Sequence, residues 1–173
     1  MSDAIQVRTL HAVSEREIQE LSDLLIDCVE GGASVSFMLP IARATAAEFW
    51  RGVAADLVQR ARILLVAENA AGRIIGSVQI IFAQPENQPH RADIAKMLVH
   101  RQSRRQGIGA ALLAEAERAA RKAGRTLLVL DTASGDAERL YAKLGWQRCG
   151  VIPGYALLPG GGLCDTTFFY RTL

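Results

Sequence analysis

Apolar positions along the chain change their spacing several times, and each change marks an element. Ile5 to His11 suits a first strand. Ser14 and Glu17 then spell a capping box, and behind them Ile18, Leu21, Leu24, Leu25, Cys28 and Val29 recur at helical spacing. Gly31-Gly32 ends that run. Thr45 and Glu48 repeat the capping device, and Phe49, Trp50, Val53, Ala54, Leu57, Val58 and Ala61 follow at helical spacing. Two helices are therefore predicted early in the chain.

The next stretch changes period. Ile63 to Glu68 and Arg73 to Phe82 read as the arms of a hairpin about the turn Asn69–Gly72. A polar loop, Gln84 to Arg91, carries Pro85 and Pro89 and leads to a strand over Asp93 to His100. Gly107 opens a helix reaching about Gly124, with Ile108, Leu112, Leu113 and Ala116 on its apolar side. A short strand from Thr126, through Leu130 to Thr132, precedes a helix from Ser134 to Leu144, closed by Gly145. Trp146 to Ile152 and Thr166 to Thr172 supply the last two strands. This order predicts a mixed α/β fold with a partly antiparallel sheet.

The chain of 173 residues shows no repeat or low-complexity tract, which predicts one domain over residues 1–173. No apolar run approaches the roughly 20 residues of a membrane span, and the start lacks a signal-peptide core, so a cytoplasmic protein without membrane contact is expected. Cys28, Cys149 and Cys164 match neither a zinc pattern nor a disulfide framework, which predicts free thiols and no metal. A net charge of +2 gives no argument for nucleic acid. Local charge says more: Lys96, Arg101, Arg104 and Arg105 crowd together.

They lead into Arg104-Arg105-Gln106-Gly107-Ile108-Gly109-Ala110, between a predicted strand and a predicted helix. The first turn of a helix carries unpaired N–H groups and partial positive charge, and glycines let an anion approach the backbone. Two arginines add planar donors. The segment therefore suits a pyrophosphate, although the glycines alone would also serve a tight strand-to-helix turn. A Walker loop is excluded because no Gly-Lys-Ser/Thr follows. A dinucleotide fingerprint fits poorly, since Leu112 stands where a third small residue is needed and several elements come first.

Val99 to Gly109, containing Arg104-Arg105-Gln106-Gly107-Ile108-Gly109, resembles the signature of the GNAT acetyltransferase superfamily, Arg/Gln-x-x-Gly-x-Gly/Ala. Leu140-Tyr141-Ala142-Lys143-Leu144-Gly145-Trp146 resembles that family's later motif, Leu-Tyr-x-Lys-x-Gly-Phe, at fitting distance. Gly31 to Val35, Phe37-Met38, Leu130-Asp131-Thr132 and Pro153-Gly154-Tyr155 are similar to a narrower branch, the tabtoxin-resistance acetyltransferases, which acetylate a small β-lactam amino acid.

The resemblance implies a central mixed, mostly antiparallel twisted sheet of about seven strands flanked by about four helices, with two central parallel strands splayed to hold acetyl-CoA. It implies that Met97, Leu98 and Val99 meet the pantetheine arm, that Arg104, Arg105, Gln106, Gly107, Ile108, Gly109 and Ala110 hold the pyrophosphate, and that Ser134 and Lys143 add contacts. Ser134 departs from the Asn often found there. The implied reaction is direct acetyl transfer from acetyl-CoA to the primary amine of a small molecule, such as tabtoxinine-β-lactam. The resemblance also implies a homodimer.

Such a reaction needs a neutral amine, support for an oxyanion and a proton for the leaving thiolate. Tyr141, protonated at neutral pH, is the candidate acid, and packing on the sheet is its other reading. Asp131, at the end of a strand, is the candidate base or ammonium anchor, and a helix cap is its other reading. Phe37 would wall the acceptor pocket or join the core, and Asp93 would meet the substrate or face solvent. Direct transfer requires no cysteine nucleophile. A peptide acetyltransferase and a non-catalytic CoA sensor are the competing functions.

Overall fold

The computed structural model describes residues 5–82 and 84–173. The chain runs β1 (Gln6–Leu10), α1 (Glu15–Glu30), α2 (Arg43–Val58), β2 (Arg62–Glu68), β3 (Ile74–Ile81), β4 (Arg91–Val99), α3 (Ile108–Lys122), β5 (Leu127–Thr132), α4 (Gly135–Lys143), β6 (Gln147–Leu157) and β7 (Leu163–Thr172). The strands form one sheet in the order β1-β2-β3-β4-β5-β7-β6. Every neighbouring pair is antiparallel except β4 and β5. The expected α/β sheet of seven strands and four helices is therefore present among the described residues.

Strand periodicity explains why both faces of this sheet are covered. In β2, Leu64 and Val66 join the core built with α1 and α2, while Leu65 and Ala67 join the core built with α3. Trp50 of α2 is fully buried in the first core, and Phe169 of β7 is nearly so in the second. Gly76 of β3 lets α3 approach closely: a Cβ there would lie 3.0 Å from Ile108 and 3.2 Å from the Leu98 carbonyl.

One break in the alternation positions the site. In β4, Ala92 and Ile94 face α3, but Leu98 faces α1 and α2. Between them β4 carries an extra residue, since Gln79 pairs with Ala95 and Ser77 with Leu98. The bulge centres on Lys96, whose φ is 49°, and buried Ser77 donates its hydroxyl to the Lys96 carbonyl at 3.1 Å. Met97 and Val99 are thereby turned toward α3.

Three expectations change. Thr45 does not cap α2: the helix starts at Arg43 after Ala42, so Thr45 is already inside its first turn. The helix also stops at Val58, with Arg60 in the left-handed region at φ 56°, so Ala61 lies beyond it. The last two strands are longer than expected, because pairing resumes past Pro153-Gly154 in a hairpin closed by Gly161 and Gly162. Pro153 interrupted the pattern, yet proline is tolerated at an irregular point of an edge strand. The capping box at Ser14 does form, with Ser14 accepting from the Glu17 amide and Glu17 accepting from the Ser14 amide.

Candidate active site

Parallel pairing of β4 with β5 covers only Arg91–Asp93 against Leu127–Val129. Beyond that, β4 continues with β3 and β5 with β7, so the two strands part. The fork opens into a cavity of about 790 Å³. Met97, Leu98 and Val99 line one wall, and Leu130, Asp131 and Thr132 line the other.

Arg104, Arg105, Gly107, Ile108, Gly109 and Ala110 close one end of this cavity. Arg105 and Gly107 take left-handed φ of 65° and 82°, and Gly107 is the residue before α3. The first turn of α3 holds no acidic residue, so the field at its N-terminus stays positive. A Cβ at Gly109 would lie 2.9 Å from the end of the Leu140 side chain, so any larger residue there displaces that side chain. Lys143 and Arg139 add cations to the same lining. Ser134 also reaches the cavity and caps α4 by accepting from the Ala137 amide at 3.4 Å. This cradle fits a cofactor with a pyrophosphate and an extended arm. Gln106 stands outside the lining; its side chain turns back to the Gln102 carbonyl at 3.5 Å.

Tyr141 and Asp131 reach the cavity from opposite faces of the sheet. Tyr141 is buried against Trp146 and Phe169, with ring centroids 5.9 and 5.6 Å away. Burial, and then the charge of Asp131, push its hydroxyl well above the usual tyrosine range, so it stays protonated. Asp131 is not a helix cap, since Ser134 fills that position for α4. Burial raises the Asp131 carboxyl above its ordinary value; Lys96 opposes this and Asp93 adds to it.

A second cavity, about 280 Å³, opens beside the first and shares Ser34 and Asp131 with it. Ser36, Phe37, Met38, Tyr155, Ala156, Leu157 and Thr166 complete its lining. Phe37 lines this cavity and also packs edge-on to Phe49 at 5.3 Å. Asp93 lies outside both linings. It pairs opposite Val129, before the strands part, and is held by Arg91 and Gln84.

Lys96 was not among the expected site residues. Its ammonium donates to the Ser36 hydroxyl at 3.4 Å and lies 5.5 Å from the Phe49 ring centre. The available signal was a lone lysine in the apolar run from Ile94 to Val99, which strand alternation alone does not explain. Among the described residues no group of three or more His, Cys, Asp or Glu stands close enough to hold a metal, and no helix is long and apolar enough to cross a membrane.

A forked sheet with a cationic, glycine-bearing strand-to-helix loop at its mouth suits a cofactor that carries a pyrophosphate on an extended arm. Residues 51–148 match the acetyltransferase (GNAT) domain family, and the chain belongs to that family. It is an acetyl-CoA-dependent N-acetyltransferase. A curated relative, an uncharacterized N-acetyltransferase from the hisH-hisA intergenic region of Azospirillum brasilense, is 30% identical over 129 residues, covering 73% of this chain and 74% of that protein. Among solved structures, yncA of Salmonella typhimurium with its cofactor acetyl-CoA superposes with a TM-score of 0.79 at 18% identity, over 99% of this chain and 95% of that one. The ribosomal-protein-alanine N-acetyltransferase of Brucella melitensis gives a TM-score of 0.77 at 23% identity, over 97% and 99%. At these identities the two structures show the shared fold.

Proposed function

We propose that the acceptor is the primary amine of a small molecule, an amino-acid-like toxin or antibiotic of the tabtoxinine-β-lactam type. The observation that carries this reading is the 280 Å³ cavity, which meets the cofactor-sized one at Asp131. That volume suits a small acceptor, since pockets for drug-sized ligands run from about 300 to 1,000 Å³.

Acetyl-CoA, when bound, supplies the activated acetyl group. Its pyrophosphate would rest on the amides from Arg105 to Ala110, with Arg104, Arg105 and Lys143 as counter-charges. The open edge of β4 at Met97–Val99 would hold the arm between the strands. Asp131 would bind the acceptor as its ammonium, then receive the released proton directly or through water. Partial desolvation raises its pKa, which makes it a better base than an ordinary aspartate. Tyr141, kept protonated, would donate to the departing thiolate. Both groups reach the fork from fixed elements, β5 and α4, so the geometry is largely paid for by folding.

CoA release, with acetylated products identified by mass, tests this reading against tabtoxinine-β-lactam, phosphinothricin, amino acids, polyamines, aminoglycosides and short peptides. Turnover of a small amino acid, with peptides silent, is the expected result. Turnover of peptides alone would replace the small acceptor by a protein one. The reading includes a homodimer, supported by the exposed apolar side chains Val151, Ile152, Tyr155 and Leu163 on β6 and β7. A monomer mass in sedimentation at micromolar concentration would remove that part. The free thiols Cys28, Cys149 and Cys164 favour a reducing compartment such as the cytoplasm.

A further inference from the structure

Lys96 has no part in the chemistry above, yet it is held with care. Four non-glycine residues among those described have positive φ: Arg60 lies elsewhere, Ser36 and Arg105 line the cavities, and Lys96 stands outside both linings, against Ser36. Ser36 and Lys96 take φ of 77° and 49° and touch each other through their side chains. Backbone strain of this kind persists where the surroundings impose it, and it gathers at functional sites. An apolar residue at the bulge would pack on Phe49 without the cost of a half-buried charge.

The charges around Lys96 decide what it can do. Asp131 on β5 attracts it, while Arg62 on β2 repels it. Burial pulls its ammonium below the usual lysine range, and the Asp131 carboxylate counters this. Before the acceptor arrives, Lys96 and Asp131 balance. An acceptor ammonium on Asp131 would leave two cations facing one carboxylate in a partly desolvated space. An acceptor that brings its own anion restores the balance, whereas a polycation worsens it. Ser36 and Asp131 both line the smaller cavity, so the ammonium behind Ser36 acts on whatever enters there.

Resting on the acetyl-transfer reading, we propose that Lys96 is a specificity-determining residue. Its ammonium, fixed by Ser36 behind the wall of the smaller cavity, selects acceptors that carry an anionic group beside the amine, such as free amino acids. It selects against polyamines and other polycations. The role is electrostatic positioning, exerted across Ser36 and Asp131, and Lys96 need not touch the reacting atoms.

The test compares kcat and KM for a matched set: an amino acid, its carboxamide, the amine lacking the carboxyl group, and spermidine. Wild-type protein should prefer the amino acid over its carboxamide by about tenfold or more in kcat/KM. Lys96→Met should collapse that ratio through KM for the amino acid, with kcat little changed. Lys96→Arg should restore part of it. Ser36→Ala, which removes the hydroxyl that fixes the ammonium, should give a smaller shift in the same direction. An unchanged rise in Tm with acetyl-CoA certifies that each variant is folded. An unaltered ratio in Lys96→Met, or wild-type turnover of spermidine equal to that of the amino acid, overturns the proposal. Transfer to peptides alone overturns it together with the small-acceptor reading, while N-acetyl transfer stands. Wild-type silence toward every amine in the set, with the acetyl-CoA shift retained, overturns the small-acceptor reading and this proposal with it.

Discussion

The two cavities, proposed as the cofactor half and the acceptor half of the site, are made of different material. The cofactor half is largely backbone: seven consecutive residues from Arg104 to Ala110, of which all but Gln106 reach the cavity, and an open strand edge at Met97–Val99. The proposed acceptor half is side chains from Ser34, Ser36, Phe37, Asp131, Tyr155 and Thr166, drawn from distant parts of the chain and joined only by folding. A backbone cradle needs glycines and a helix start, which leave a local spelling in the chain. A side-chain pocket needs no local spelling at all.

That difference governs what could be read without coordinates. The anion loop was legible because Gly107 and Gly109 stand at a strand-to-helix junction behind two arginines. Tyr141 was legible through the motif around it, and Asp131 through its place at a strand end. Lys96 was not, because a bulge breaks the alternation on which strand reading depends. Ala92 and Ile94 face one layer and Leu98 the other, and the lone lysine between them is the one sign of the switch in the run from Ile94 to Val99. Asp93 lies outside both linings. It sits on a site-forming strand, but below the point where that strand parts from β5.

If the two halves are functionally distinct, single changes should separate their readouts. The largest effect is expected from Tyr141→Phe. Loss of a positioned acid should lower kcat by about 10²- to 10⁴-fold while leaving the dissociation constant for acetyl-CoA nearly unchanged. Steady-state kinetics beside calorimetric titration with acetyl-CoA measure the two. Unchanged kcat would return Tyr141 to its packing role against Trp146 and Phe169.

Asp131→Asn should raise KM for the acceptor and lower kcat/KM by about 10- to 100-fold, again sparing acetyl-CoA affinity. The pH profile adds a sign. On the proposed role Asp131 acts as carboxylate, so activity should fall as pH drops through its pKa, which desolvation has moved above the ordinary aspartate range. Lys96 holds it down, while Asp93 on β4 raises it. Lys96→Met should therefore shift the acid limb to higher pH, and Asp131→Asn should remove the limb. A profile of kcat/KM against pH that is identical in all three proteins would exclude Asp131 as the titrating group.

The complementary break is Gly107→Val. The residue sits at φ 82°, a conformation that a β-branched side chain adopts at a cost of about 1–2 kcal/mol. Acetyl-CoA affinity should fall about tenfold, while the preference among acceptors at saturating cofactor stays as in wild type. A changed preference would mean that the loop reaches into acceptor selection and that the two halves are not separate.

The smallest effect tests local spelling itself. Ser14-x-x-Glu17 and Thr45-x-x-Glu48 read alike, but only the first is a helix cap. Ser14→Ala removes the acceptor for the Glu17 amide and should cost about 1 kcal/mol, within the usual range for lost caps. Thr45 is exposed inside the first turn of α2, where alanine is at least as good a helix former, so Thr45→Ala should change stability by less than about 0.5 kcal/mol. Urea denaturation of the two variants measures both. The physical reason for the contrast is the chain before each helix. Ser14 is itself the last extended residue, at φ −73° and ψ 161°, and so can turn its hydroxyl onto the first turn. Ahead of α2 that extended position belongs to Ala42, whose methyl group can accept no hydrogen bond. Equal losses in the two variants would show that α2 begins later in solution, at Thr45, and that its spelling was reliable after all.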